Sequence, residues 1–405
     1  MRIAVLCMHT SPLAQPGTGD VGGMNVYVRE LTSSLARAGV ECDVYVRADD
    51  PAMPATVSVE PGFRVHHVVA GPVAAVEKES LRALVPLFTD AVERHLVQHD
   101  IRPDVLHANY WLSGEAGHTL KHRLNIPLVS TFHTLARVKT AGDDPEPEER
   151  AVAEQHIIGC SELVFASCSV ERDQLIHLYG ADPERVVEVP LGINRAFFSP
   201  GSRQGARAAI GGIGPGPLLL FAGRIQPLKG ADLAVATLAA LHRSDVTLLI
   251  VGGPSGRGGE LELARLHELV RTQGLTNQVR FVPPQPHHLL STFYRAADAV
   301  LVPSRSESFG LVALEAAACG TPVIAAAVGG LQTLVDHGST GWLVPERNPL
   351  RYADHLQTLF ADPVLAARMG DAAAIRARRY AWSATASRLR EAFVGLTERA
   401  LVLCQ

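Results

Sequence analysis

Lysine is almost absent from this chain of 405 residues: only Lys78, Lys121, Lys139 and Lys229 stand among 37 basic residues. The positive charge is therefore mostly arginine, and it forms no basic block. With a net charge of −4, no electrostatic case for nucleic acid remains. Long apolar runs are missing too, and none approaches the ~20 residues that span a bilayer, so no integral membrane segment is expected. The first apolar run, Ile3 to Met8, is too short for a signal peptide. The six cysteines, Cys7, Cys42, Cys160, Cys168, Cys319 and Cys404, form no C-x-x-C pair and no metal spacing. Most lie in apolar stretches and read as small core residues of a protein in a reducing, cytoplasmic compartment. His287-His288 has no third ligand at metal spacing and reads as surface. No Ser-His-Asp or H-E-x-x-H arrangement, internal repeat or low-complexity segment occurs.

What is present describes a globular protein with 47% hydrophobic and 19% charged residues. The length exceeds one ordinary core, so two domains are expected. Buried strands fit Ile3 to Met8, Val40 to Val46, Arg64 to Val69, Asp104 to Ala108, Leu128 to Phe132 and Leu163 to Ala166. A helical apolar period fits Met24 to Ala38, closed by Gly39. After the Gly/Pro/Arg-rich passage Arg203 to Pro217 the alternation restarts at Leu218 to Ala222. It ends in one long helical pattern from Trp382 to Leu403, with an apolar stripe at Leu389, Phe393, Leu396 and Ala400. The alternation predicts an α/β protein of two doubly wound, Rossmann-like domains, residues 1–195 and 196–380. A C-terminal helix, 381–405, is expected to cross back to the first domain. Ligands in such sheets bind beyond the strand C-termini, in a cleft the two domains are expected to share, so the loops that follow strands are the candidates.

Four stretches carry the chemistry. Ser304 to Gly330 reads as loop, helix, strand and glycine turn. Gly310 opens a helix whose free N–H groups suit a phosphate. Glu307 in the preceding loop can reach a sugar, and Glu315, on an otherwise apolar helix, can accept from ribose hydroxyls. Gly223 to Gly230 places Arg224 and Lys229 around a turn fixed by Pro227, a positive clamp for a departing diphosphate. Gly17 to Gly23 contains a literal G-x-G-x-x-G, but eight residues separate it from the first strand, which argues against a dinucleotide fingerprint. It reads instead as a loop whose Gly22-Gly23 lets a diphosphate approach the backbone, with Asp20 and Asn25 able to hold hydroxyls. His133, ending a strand beside Thr134, is open to a structural or a catalytic reading, and Tyr110-Trp111 to packing or a substrate wall.

Together these residues resemble family 4 of the retaining glycosyltransferases, of GT-B fold. Glu307 and Glu315 match its E-x7-E motif, and Arg224 with Lys229 its diphosphate clamp. The resemblance spans nearly the whole chain. The stretches MHTSPLAQPGTGDVGGMNVYV, YWLSG, HTLARVK, GRIQPLKG, GGPSG and SESFGLVALEA resemble the branch that begins mycothiol synthesis in actinobacteria. There, typical members have His-Ser-His-Tyr-Trp, where this chain has His107-Ala108-Asn109-Tyr110-Trp111. The resemblance implies transfer of N-acetylglucosamine from UDP-N-acetylglucosamine to 1D-myo-inositol 3-phosphate, and no cofactor for the chemistry. Related transferases with another acceptor (sucrose-phosphate-synthase-like or natural-product enzymes) and GT-B epimerases remain alternatives. The donor is assigned to Gln15, Pro16, Gly23, Arg224, Lys229, Gln285, Glu307 and Glu315. The inositol ring goes to His9, Asn25 and the loop Asp20-Val21-Gly22, and the acceptor phosphate to Lys78, Tyr110, Thr134 and Arg150. His133, Arg224, Lys229 and Glu307 take the catalytic positions, His133 lining the reacting sugar. A structural magnesium would map to Tyr294, Arg295, Ala297 and Thr321, and a homodimer is compatible with the family.

Overall fold

The computed structural model describes residues 1–405 except 18, 20, 142–145, 257, 397–399, 403 and 405. Asp20 and the end of the tail pattern at Leu403 therefore lie outside the described residues. Two compact units emerge. The first comprises 1–14, 24–192 and 382–405, and the second 15–23 and 193–381. The loop 15–23, expected with the first domain, thus groups with the second.

In the first unit the apolar runs become β1 (Arg2–Leu6), β2 (Glu41–Arg47), β3 (Thr56–Glu60), β4 (Phe63–Val68), β5 (Val105–Asn109), β6 (Leu128–Thr131), β7 (Leu163–Ala166) and β8 (Val186–Glu188). The sheet order is β3-β4-β2-β1-β5-β6-β7-β8, and only the β3–β4 pair is antiparallel. β3 lacks a continuous apolar run because it is a half-exposed edge strand, which is why the periodicity misses it. Strand order reverses between β1 and β5, so the loops after these two strands flank the switch point. The helix Trp382–Leu396 belongs to this unit and buries Leu389, Phe393 and Leu396. Ala400, expected on the same stripe, is exposed because the helix has ended before it.

The second unit holds β9 (Leu218–Ala222), β10 (Thr247–Val251), β11 (Val279–Val282), β12 (Ala299–Val302), β13 (Val323–Ala326) and β14 (Gly341–Val344). All pair in parallel, in the order β11-β10-β9-β12-β13-β14. This is the Rossmann order, with its switch point between β9 and β12. The Gly/Pro/Arg-rich passage contains a helix, Arg203–Ile210, capped by Ser202. Arg203 and Arg207 anchor it to Asp298 at 2.8 and 2.6 Å.

Most of the cysteines are small core residues, as expected, but two are joined. Cys160 and Cys404, 244 residues apart, are joined as a disulfide, whereas Cys7, Cys42, Cys168 and Cys319 are buried and outside any disulfide. Cys160 and Cys404 also meet His118 and His122, a grouping of distant segments that the cysteine spacing does not reveal. Beside them Lys121, fully buried, donates to the Cys160 carbonyl and to Glu162, each at 2.5 Å. That rare lysine is structural.

The first unit also buries an acid. Asp43 is inaccessible and takes hydrogen bonds from Arg2 at 2.6 Å, Arg64 at 2.9 Å and His66 at 2.8 Å. Burial pushes its carboxyl up, but bonds from His66, Arg2 and Arg64 outweigh that and hold it well below the usual range. Because the folded-state value is depressed, its stabilisation is present above the unfolded value of about 3.9 and fades as pH falls below it. Asp43→Ala should cost about 3–5 kcal/mol at neutral pH, the range for removing one partner of a buried ion pair. Urea midpoints of wild type and variant should stay apart from neutral pH down to about pH 4 and draw together only below it. Parallel curves would refute the assignment.

Candidate active site

In the second unit the loops after β9 and β12 meet at the switch point. One turn of 3-10 helix, Pro227–Lys229, ends at Gly230 with φ 74°. A Cβ on Gly230 would lie 2.2 Å from the Pro303 carbonyl, so only glycine lets the loops touch. The contact aims Lys229 Nζ at Glu307 Oε2, 2.7 Å away, and the Ser304 hydroxyl donates to the same oxygen at 3.2 Å. Gly310, with φ 106°, then starts the helix Leu311–Ala318. Arg224 reaches the Ser255 hydroxyl at 3.5 Å, and a Cβ on Gly22 would come within 3.2 Å of its Nε. The backbone of Gly22, assigned with the acceptor, thus lies against a donor-side guanidinium. Val21 precedes it, its carbonyl accepting from Gly17 N–H at 2.9 Å.

Glu315 is 3% exposed, and both its oxygens are engaged. Tyr294 donates to Oε2 at 2.8 Å and His287 Nε2 lies 2.6 Å from Oε1. His287 is therefore no surface residue; it also packs on the Phe198 ring at 5.0 Å. Burial, with the Glu315 carboxylate beside it, raises the Tyr294 phenol well above its ordinary value and keeps it a donor. Sequence reasoning found the acid and missed its holders, 21 and 28 residues away. Gln15 and Gln285 donate to the Pro284 and Pro283 carbonyls at 3.3 and 2.9 Å. Pro16 is half-buried, and a Cβ on Gly23 would meet Leu311 at 3.5 Å.

Of the four residues mapped to a structural magnesium, Tyr294 and Thr321 are bonded to each other. The Tyr294 carbonyl already accepts from the Thr321 hydroxyl at 2.6 Å and from Ala297 N–H at 3.3 Å. The Arg295 guanidinium donates to the Ser199 and Phe197 carbonyls. A hard cation needs free oxygens, and this carbonyl's two lone pairs are used.

In the first unit a cationic cluster forms around one ring. Lys78 Nζ and Arg150 Cζ each lie 5.0 Å from the centroid of Tyr110, and the His9 ring lies 4.5 Å from it. Arg150 donates to the Thr134 carbonyl at 2.8 Å and hydroxyl at 3.0 Å. Glu154 and Glu146 hold its other nitrogens at 2.8 and 2.9 Å, and Lys139 bonds Glu146. The i,i+4 spacing of 146, 150 and 154 was the signal for these acids. Burial pulls the Arg150 guanidinium down, but Tyr110, Glu154 and Glu146 more than offset it, so the charge persists. Lys78, Tyr110, Thr134 and Arg150 are thus brought together. Asn25 is not open to a ligand in the same way: it is buried and its amide donates to Thr10 Oγ1 at 2.6 Å and the Ser11 carbonyl at 2.8 Å. It shapes the loop after β1.

A single residue, Tyr110, separates β5 from the helix that follows it. β5 ends at Asn109, and a helix, Trp111–Leu124, starts after Tyr110 at φ 74°. His133, after β6, has φ 63°. Left-handed backbone at bulky residues is costly and gathers at functional sites. His133 Nε2 donates to Asn109 Oδ1 at 2.9 Å, and its ring packs on Tyr27 at 4.9 Å. Burial, helped by His107, lowers its pKa to about 3, so the ring is neutral.

Two Rossmann-ordered units with an acid–lysine pair at one switch point and a cationic cluster in the other define a GT-B glycosyltransferase. Family models match in the same sense: "Glycosyl transferase 4-like domain" over residues 22–192 and "Glycosyl transferases group 1" over 205–376. The chain belongs to family 4 of these transferases. It is 48% identical to the D-inositol 3-phosphate glycosyltransferase of Frankia alni over 94% of this chain and 96% of that one. It is 46% identical to that of Actinosynnema mirum, covering 97% and 96%. Among solved structures it is similar to sucrose-phosphate synthase from Thermosynechococcus elongatus, at TM-score 0.91 and 33% identity over 98% of both chains. Anabaena HepE in complex with UDP and glucose shares the fold at TM-score 0.79 and 21% identity, over 98% of this chain and 100% of that one. Among the described residues no helix is long and apolar enough to cross a membrane.

The His133 ring should not titrate in the range where enzymes work. Ring nitrogen NMR shifts should stay at the neutral value from pH 8 to pH 5, and Asn109→Ala should loosen the ring without charging it. A midpoint near the ordinary value of about 6.5 would overturn the buried, neutral assignment.

Proposed function

We propose that this glycosyltransferase moves N-acetylglucosamine from UDP-N-acetylglucosamine to 1D-myo-inositol 3-phosphate, retaining the anomeric configuration. One observation carries the acceptor class: Lys78, Arg150 and Thr134 gather at Tyr110 in the first unit. Three cations, Lys78, Lys139 and Arg150, meet two acids, Glu146 and Glu154. The surplus positive charge and the hydroxyls of Thr134 and Tyr110 suit a phosphate monoester. The relatives' names supply the inositol.

On the donor side, Arg224 and Lys229 neutralise the departing diphosphate, where charge grows in the transition state. Glu307, paired with Lys229, exchanges that partner for sugar hydroxyls when the donor binds. Glu315, fixed by Tyr294 and His287, retains lone pairs for the ribose. Neutral His133 lines the reacting sugar and offers no proton. No step runs through a metal ion.

The sucrose-phosphate synthase likeness favours a second reading, in which the same phosphate cluster takes a different phosphorylated acceptor. A panel of acceptors, with product mass and anomeric configuration read out, separates the two. Lys78→Ala should lower kcat/KM for the phosphorylated acceptor by about ten- to hundredfold, the ~1.5–3 kcal/mol of a hydrogen bond to a charged group. Donor affinity should hold, and free inositol should be a far poorer acceptor. Full activity in Lys78→Ala, or preference for an uncharged acceptor, would sink the inositol phosphate reading alone. Arg224→Ala and Lys229→Ala should lower kcat more than they raise donor KM. A change in KM only would make the clamp a binding feature.

A further inference from the structure

His118 and His122 stand one turn apart on the helix Trp111–Leu124, at H-x3-H spacing, with ring centroids 4.9 Å apart. Cys160, the last residue of the helix Glu148–Cys160, and Cys404 of the C-terminal tail complete the group. One ligand atom from each residue lies within 4.8 Å of all the others. Cys404 Sγ is 3.3 Å from His122 Nε2. In a tetrahedral zinc site, with Zn–S about 2.3 Å and Zn–N about 2.0–2.1 Å, neighbouring ligand atoms stand about 3.4–3.8 Å apart. Once the two sulfurs part on reduction, the group needs little further adjustment to hold an ion. We propose that these four residues form a tetrahedral Cys2His2 site for a zinc-class divalent cation, stapling the C-terminal tail to the first unit.

The chemistry of the set selects the ion. Two thiolates with two imidazoles favour zinc over hard cations such as magnesium or calcium. The surroundings are prepared for it. Cys160 is buried, His118 and Cys404 are half-buried, and His122 is exposed, so an ion has an entry path from solvent. The carbonyl of Cys160 is held by Lys121, whose ammonium is neutralised by Glu162. Glu162 Oε1 also accepts from Val402 N–H at 2.9 Å, two residues before Cys404. The same buried ion pair thus positions one ligand on a helix and one on the tail. A dication with two thiolates is neutral, so it adds no net charge beside that pair.

The two sulfurs serve either as this disulfide or as metal ligands. A dithiol reductant delivers two electrons and two protons to the S–S bond and is itself oxidised to a disulfide. The ion then binds as the two thiols release both protons. Loss of two electrons from the thiolates to a disulfide oxidant re-forms the bond and releases the ion. None of the four residues belongs to the donor or acceptor clusters, so the site is structural and redox-sensitive.

Cobalt(II) is the probe, added to the full chain reduced with a phosphine that does not bind metal. The expected result is one cobalt per chain, with thiolate charge-transfer bands and the visible bands of tetrahedral cobalt. Zinc should displace it and raise the Tm of the reduced chain. The oxidised chain should take up none. Cys404→Ser and His122→Ala, both at accessible positions, should keep the wild-type circular dichroism yet lose stoichiometric binding. No uptake by the reduced wild type, undiminished uptake by both variants, or equal uptake by the oxidised chain would each overturn the site.

Discussion

The second unit depends on a backbone contact too close for any side chain. Gly230 lies against the Pro303 carbonyl, where a Cβ would stand at 2.2 Å, and Gly329 lies against the Glu307 carbonyl, where it would stand at 1.8 Å. Through these two contacts the loops after β9, β12 and β13 are fixed to one another at the topological switch point. Lys229 and Glu307 meet at 2.7 Å because the glycines leave their carriers no other place. An ion pair on such a frame is preorganised: the site meets its ligand with little ordering left to lose.

The first unit reaches a comparable result by strain rather than close approach. Tyr110 and His133 occupy left-handed backbone just beyond β5 and β6. Neither residue adopts it cheaply, and each is held by neighbours. Tyr110 N–H donates to the Thr131 carbonyl at 2.8 Å, and the His133 ring is tied to Asn109. The payoff is orientation. Tyr110 presents its face to Lys78 and Arg150, and Arg150 is kept charged in the interior by two acids.

The chain's few lysines divide by environment. Lys229 pairs with Glu307 and Lys78 lies over Tyr110, both in the candidate clusters. Lys139 supports Glu146 beside Arg150. Lys121 is buried, and its ion pair with Glu162 anchors the tail through Val402. Scarcity of lysine marked positions worth examining, but only the surroundings say which of them meet a ligand.

The sequence by itself determined what local pattern encodes. Buried parallel strands are continuous apolar runs, so β7 and β9 were legible to the residue, and their alternation with helices gave the fold class. Glu307, Glu315, Arg224 and Lys229 were legible because each sits at a fixed offset from a strand end or glycine. Only the tertiary structure decided contacts between distant segments. His287 and Tyr294 on Glu315, Asn109 on His133, and the convergence of the His118–His122 pair with Cys160 and Cys404 leave no periodic trace, since the partners are carried by different elements. The half-exposed edge strand β3 and the grouping of 15–23 with the second unit were hidden for the same reason. Burial and partner choice belong to the packed chain, whereas periodicity belongs to the segment.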